Sequence, residues 1–175
     1  MVSFLKKRSP ASGRGYRRLD AFCFPMADDS IDNAEHLYRR VPNLPTMFRV
    51  ENNKLRLSSS VFNDPESTNG QKQPSVDRAK LRNFDPAQSK TAPTQGIVGL
   101  IAGDVRLIQN VSKSDNAGNV QYVHDVDVVP DPLPHNNSHA LVTVSPQFES
   151  RRPFDRLKDS LARLAEKQGW LVEPS

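Results

Sequence analysis

His135 and His139 stand four residues apart, the spacing at which a helix turns two imidazoles toward one zinc ion. Pro134 before them and Asn136-Asn137 between them read as a loop running into a strand, so that geometry is lost, and no third ligand is spaced nearby. No metal site is expected. His139 at a strand entrance, like His124 beside Asp125 and Asp127, is ordinarily a satisfied structural histidine. Its imidazole could also act as a base, with Ser59 of Arg56-Leu57-Ser58-Ser59-Ser60 as nucleophile. That chemistry needs hydroxyl and imidazole within hydrogen-bond reach and a third group orienting the ring, which sequence separation does not decide. The commoner use of such serines is to satisfy backbone groups where a strand ends.

Arg49 and Arg56 are the leading anion-binding candidates. In the hairpin derived below they lie directly opposite on one face, where like charges repel. Glu51, diagonal to Arg56, offers the simplest relief; otherwise the pair awaits a phosphate or a partner's carboxylate. Arg39 and Arg40 could join them, although the end of a helix already favours cations. The chain contains no Gly-rich phosphate loop of the Rossmann or Gly-Lys-Ser/Thr type and no His-Glu-x-x-His. No cofactor is therefore expected.

The elements that must position these residues follow from patterning. From Ser30, a good N-cap, Ile31, Ala34, Leu37, Tyr38 and Val41 recur at spacings of three or four, acids lead and Arg39-Arg40 follow, which predicts a helix ended by Pro42 and Pro45. Met47 to Leu57 alternates around Asn52-Asn53 and predicts a hairpin pairing Glu51 with Lys54, Val50 with Leu55, Arg49 with Arg56 and Phe48 with Leu57. Residues 63–75 read as a loop, Ser75 as the cap of a second helix through Val76, Ala79 and Leu81, and 83–95 as another loop. Gly96 to Val111 reads as buried strand, Val120 to Val128 as one alternating strand and His139 to Val144 as a third. Pro153, the stripe Phe154, Leu157, Leu161, Leu164 and Ala165, and Gly169 mark a final helix packed on the chain's own sheet. The expected class is α+β: a small, mostly antiparallel sheet flanked by N-terminal and C-terminal helices.

Composition limits the rest. Of 175 residues 36% are hydrophobic, so the core is modest, and no apolar run of about 18 residues predicts a membrane span. The formal charge of +4 is unevenly placed: residues 1–25 hold six basic groups against Asp20, a net +5, which leaves −1 over 26–175. The first segment reads as a disordered basic arm or a non-native extension, and 26–175 as a single domain; a nucleic-acid contact is possible through residues 1–25 only. Lone Cys23 excludes an intramolecular disulfide and suits a reducing, cytoplasmic setting.

The run Leu37-Tyr38-Arg39-Arg40-Val41, with Arg56-x-Ser58-Ser59-x-x-Phe62, Ser75-Val76-Asp77 and Asn136-x-x-His139-Ala140, resembles a family of small uncharacterised bacterial proteins over about residues 37–142. The resemblance implies a free-standing bacterial protein and no particular activity. A second likeness is to the Arg-Ser-Glu class of ADP-ribosyltransferases, in which a strand Arg and a Ser position NAD and a late Glu activates the acceptor. Arg39 and Ser59 would fill the first two roles; the late glutamates Glu149, Glu166 and Glu173 lie in no Glu-x-Glu or Gln-x-Glu strand motif, and Arg39 reads as helix.

Two functions compete. The first is a non-catalytic accessory module of a bacterial multi-component system, docking on a protein partner. The alternative is a small enzyme acting on a phosphate-bearing ligand, ADP-ribosyltransferase-like or nucleotide-processing, with Arg39, Arg49 and Arg56 gripping the anion and Ser59 and His139 nearby. Oligomeric state is open at this level.

Overall fold

A computed structural model describes residues 29–64 and 73–175. The basic arm and most of the 63–75 loop fall outside them. In chain order the strands are β1 (His36–Val41), β2 (Phe48–Glu51), β3 (Lys54–Leu57), β4 (Ser75–Arg78), β5 (Gly96–Ile101), β6 (Ser112–Ser114), β7 (Val120–Val123), β8 (Asp125–Pro130), β9 (His139–Ser145) and β10 (Trp170–Val172). Two α-helices, α1 (Ala102–Arg106) and α2 (Arg151–Gln168), join them, with 3-10 turns over Ser59–Phe62, Ala79–Arg82 and Pro86–Ser89. Six strands form one sheet in the order β10-β5-β1-β4-β9-β8, every neighbouring pair antiparallel, while β2-β3 and β6-β7 are separate ribbons. The class is thus α+β with a mainly antiparallel sheet and a long C-terminal helix.

No helix occupies 31–41. Asp32 accepts the Ala34 N–H on its carboxylate at 2.7 Å and the Glu35 N–H on its carbonyl at 3.0 Å, so the capping residues close a turn rather than open a helix. β1 then runs through the middle of the sheet. Leu37 and Val41 join the main core, whereas Tyr38 packs with Ala79 and Ile97 in a second cluster. Burial on both faces turns a period of two into a nearly continuous buried run, which imitates helical spacing.

Three further expectations change. Ser75 starts β4, a strand held between β1 and β9, and only Ala79–Arg82 coils, as a single 3-10 turn. The apolar run from Gly96 leaves the sheet after Ile101 for α1, which buries Ala102 and Val105 at a spacing of three. The alternating run 120–128 divides at His124, because β9 stops at Ser145 opposite Asp125 and Pro146 has no N–H to extend the ladder.

The hairpin takes the expected register at all four pairs, with Asn52 and Asn53 at φ 52° and 58°, the left-handed pair a two-residue turn requires. α2 packs its stripe onto the sheet: Phe154, Leu157, Leu161 and Ala165 are buried, and Leu164 is partly so. It stops at Gly169, whose φ of 82° suits glycine and whose N–H caps the Ala165 carbonyl at 2.9 Å. β10 then lays Trp170 across Gly96, where a Cβ would come within 2.5 Å of the indole. The opposite face of β1 and β5 is covered by the 79–95 connection, and no helix among the described residues is long and apolar enough to cross a membrane.

Candidate functional site

Arg39 enters on β1, a strand, from which its guanidinium reaches two other segments. Nη1 and Nη2 meet the two Asp64 oxygens at 2.7 Å each, a bidentate fork. Nη1 also donates to the Ser75 carbonyl and hydroxyl at 2.6 and 2.9 Å; Nε donates to the Val61 carbonyl at 2.9 Å, which Nη2 also contacts. The Phe62 ring lies 5.6 Å below the guanidinium. Every donor is engaged internally, so an external anion would have to displace Asp64. Arg39 latches β1 to the 59–62 turn and to β4.

Arg49 and Arg56 project from the hairpin, each 3.6 Å from Glu51, and Arg56 also stands 3.8 Å from Glu166 of α2. The like-charge pair is relieved from within. Glu166 further accepts the Leu57 N–H at 3.0 Å, while the Trp170 indole donates to the Leu55 carbonyl at 3.1 Å. In an antiparallel hairpin of this register these two backbone groups point away from β2. The side chains therefore stand in for a neighbouring strand and dock the ribbon on α2 and β10. Two cavities flank it. One of about 400 Å³ is lined by Lys54, Arg56, Glu166, Trp170 and Glu173, and the other, of about 440 Å³, by Arg49, Ser58, Ser59 and Asp159.

Ser59 thus shares a cavity with Arg49. His139 lies elsewhere, at the start of β9 opposite Asp77, its Nδ1 at 2.8 Å from the Asp131 carbonyl and 3.1 Å from its carboxylate. Both partners only accept, so Nδ1 carries the proton and the lone pair of the neutral ring sits on Nε2. No hydrogen bond among the described residues joins His139 to Ser59. Ser138, the hydroxyl next to it in sequence, donates to Asn136 at 2.7 Å. Of the late glutamates, Glu149 pairs with Lys113, whereas Glu166 and Glu173 line the Arg56 cavity.

The arrangement not foreseen from sequence centres on Asp77. This side chain, 3% exposed, accepts from Asn136 Nδ2 at 2.7 Å and from Arg82 Nη2 at 3.2 Å, and the same Arg82 nitrogen reaches Asn136 Oδ1 at 2.8 Å. The triangle ties the 79–85 loop to the 131–138 loop, itself closed by reciprocal Leu133 and Asn136 backbone bonds. Asn83 and Phe84 follow in left-handed conformations, φ 52° and 57°, pinned by the Phe84 N–H to the Ala79 carbonyl and the Asp85 N–H to the Arg82 carbonyl, both 2.9 Å. Phe84 is 66% exposed, and Leu81 and Leu133 are also exposed. The one sequence signal for this loop was Asn83 before Asp85-Pro86, a turn composition. Beneath it the Tyr38 hydroxyl titrates above its ordinary value, first through burial and then through the negative charge of Asp85.

The residues of the dispersed Leu-Tyr-Arg-Arg-Val pattern meet here and at Arg39: Tyr38 pairs with Asp77, Asp77 with His139, and Arg39 bonds Ser75. Compared with known proteins, the chain matches no family model, no curated protein and no solved structure.

Proposed function

We propose that this chain is a non-catalytic interaction module, an accessory part of a bacterial multi-component system, that docks on a protein partner through the loop carrying Leu81 and Phe84. The carrying observation is Phe84 itself. A bulky residue at positive φ costs about 1–2 kcal/mol, and here the ring gains little burial in return. Backbone strain held in place by a part-buried Asp77–Arg82–Asn136 network is the pattern of a site kept in position for a contact. The engaged donors of Arg39, and the sharing of Glu51 by Arg49 and Arg56, weigh in the same direction by leaving less cationic capacity for an anion. The cavity holding Lys54 and Arg56 is what favours the second reading, an enzyme on a phosphate-bearing ligand.

Affinity capture from source lysate with the wild type, Phe84→Gly and Arg56→Ala, at low and moderate salt, separates the two. A stoichiometric protein retained at moderate salt by wild type and Arg56→Ala but lost with Phe84→Gly is expected. Equal retention by Phe84→Gly removes the loop from the interface. A phosphate ester that accompanies wild type and Phe84→Gly, and disappears with Arg56→Ala, replaces the docking reading with the enzymatic one.

A further inference from the structure

α2 keeps its charges apart. At 3.6 residues per turn Arg152, Arg156, Arg163 and Lys167 fall within about 60° of one another around the axis, with Ser160 beside them, in a stripe about 22 Å long. The acids of the helix are turned elsewhere: Asp155 pairs with Arg151 and Lys158, Glu166 holds the Leu57 N–H of the hairpin, and Asp159 lines the cavity of Arg49. None of the four cations enters an ion pair among the described residues. Like charges one turn apart repel, and Arg152 stands in the first turn, where the helix dipole disfavours a cation, so neither pairing nor the dipole accounts for the stripe. The formal −1 over residues 26–175 conceals this segregation.

The segment that follows α1 runs beside the stripe and adds neutral hydrogen-bonding groups. Arg156 Nη1 donates to the Ser112 hydroxyl at 2.8 Å, which leaves Nε and Nη2 unbonded among the described residues, and Ser160 Oγ stands 3.0 Å from Asn110 Oδ1. Farther along, an open trough of about 580 Å³ is walled by Arg163 and Lys167 on one side and by Leu107, Gln109 and Asn110 on the other, with Asp104 as the only acid lining it. No aromatic ring lines the trough or stands in the stripe.

We propose that this stripe binds the phosphodiester backbone of a double-stranded nucleic acid. Guanidinium and ammonium groups in a row, with hydroxyls and amides beside them, are the donors that contact phosphate. A continuous line of cations matches a continuous line of anions better than it matches the scattered carboxylates of an acidic peptide. The absence of aromatic rings removes the stacking platform on which single strands are held, and the contact carries no sequence preference. α2 and the Phe84 loop cover opposite faces of the sheet, so the two contacts do not compete for one surface.

The basic side chains within residues 1–25 also attract polyanions, so the test uses the full chain with Lys6, Lys7, Arg8, Arg14, Arg17 and Arg18 changed to Gln. Its binding to DNA and RNA duplexes of about 20 base pairs, followed by fluorescence anisotropy, should weaken with salt at a log–log slope of about −3 to −4. Adding Arg163→Gln with Lys167→Gln should halve that slope and weaken binding about 100-fold at about 50 mM salt, with unchanged circular dichroism. Lys80→Gln with Arg151→Gln removes the same charge away from the stripe and should leave the slope as it was. The duplex held more tightly tells which nucleic acid the stripe serves. The proposal is overturned if neither duplex binds, if the two pairs of substitutions act alike, or if a single strand or poly-glutamate is held more tightly than both duplexes.

Discussion

Phe84 and Asp77 sit a few residues apart with opposite energetics. Glycine removes the left-handed penalty at 84 but adds entropy to the unfolded chain, so Phe84→Gly should raise stability by about 0.5–1 kcal/mol while weakening partner binding. Urea unfolding measures the first effect, and a lower midpoint would mean that the ring contributes packing its exposure does not suggest. Asp77→Ala acts the other way. It leaves the Arg82 guanidinium, about a fifth exposed, without its carboxylate and Asn136 without an acceptor, a loss of about 3 kcal/mol by the logic of broken buried pairs. A midpoint within error of wild type would show that water replaces the carboxylate. Asp77 and Asn136 both stand in the dispersed pattern, but their contact is not legible there: they are 59 positions apart, and their bond exists only once β4 and β9 have paired.

Among the elements, those that could be read from the sequence are the ones whose information is local. The β2-β3 hairpin carries its register in a two-residue turn and flanking alternation, and α2 carries an unbroken stripe between Pro153 and Gly169. β1 and β4 lack such independence, since both are central strands whose burial is set by neighbours far along the chain. For the same reason the helical spacing around Arg39 misleads, and the residue stands on β1. The β6-β7 ribbon has its own acid sensitivity. Asp115 accepts from the Asn119 side chain and from backbone N–H groups of the turn, and the Lys113 ammonium holds Glu149, so both carboxyls titrate below their ordinary range. A lowered folded value means stabilisation that is complete above the ordinary carboxylate value and is lost as pH falls through the shifted ones. The protection of β6 and β7 amides against exchange, relative to the unfolded chain at the same pH, should therefore fall in acid before that of β1 and β5. Simultaneous loss would tie the ribbon to the main sheet.

The main core spans the molecule, with Leu37, Phe62, Val98, Val142, Leu157 and Leu161 drawn from the three strands β1, β5 and β9, a turn and α2. Leu157→Ala at the centre of the helix–sheet contact should cost about 2–5 kcal/mol. Circular dichroism and the emission of Trp170, the single tryptophan, should show one common, lowered midpoint. Two separated midpoints would mean that the hairpin seated on Trp170 unfolds on its own. At this scale the class and the long C-terminal helix were legible, because they depend on the number and order of patterned runs. The meeting of Arg82, Asn136 and Phe84 was not, because it depends on which loops the sheet order brings together.

That sheet order also bears on how the chain is made. β1 is synthesised before either of its neighbours, and the sheet's apolar face meets its helix only after residues 151–168 have been added. A nascent chain held at Ser145 would already contain every strand of the large sheet except β10, with Leu37, Leu100 and Val142 still lacking α2. Such an intermediate is prone to association during translation, and α2 acts as the latch that closes this interval.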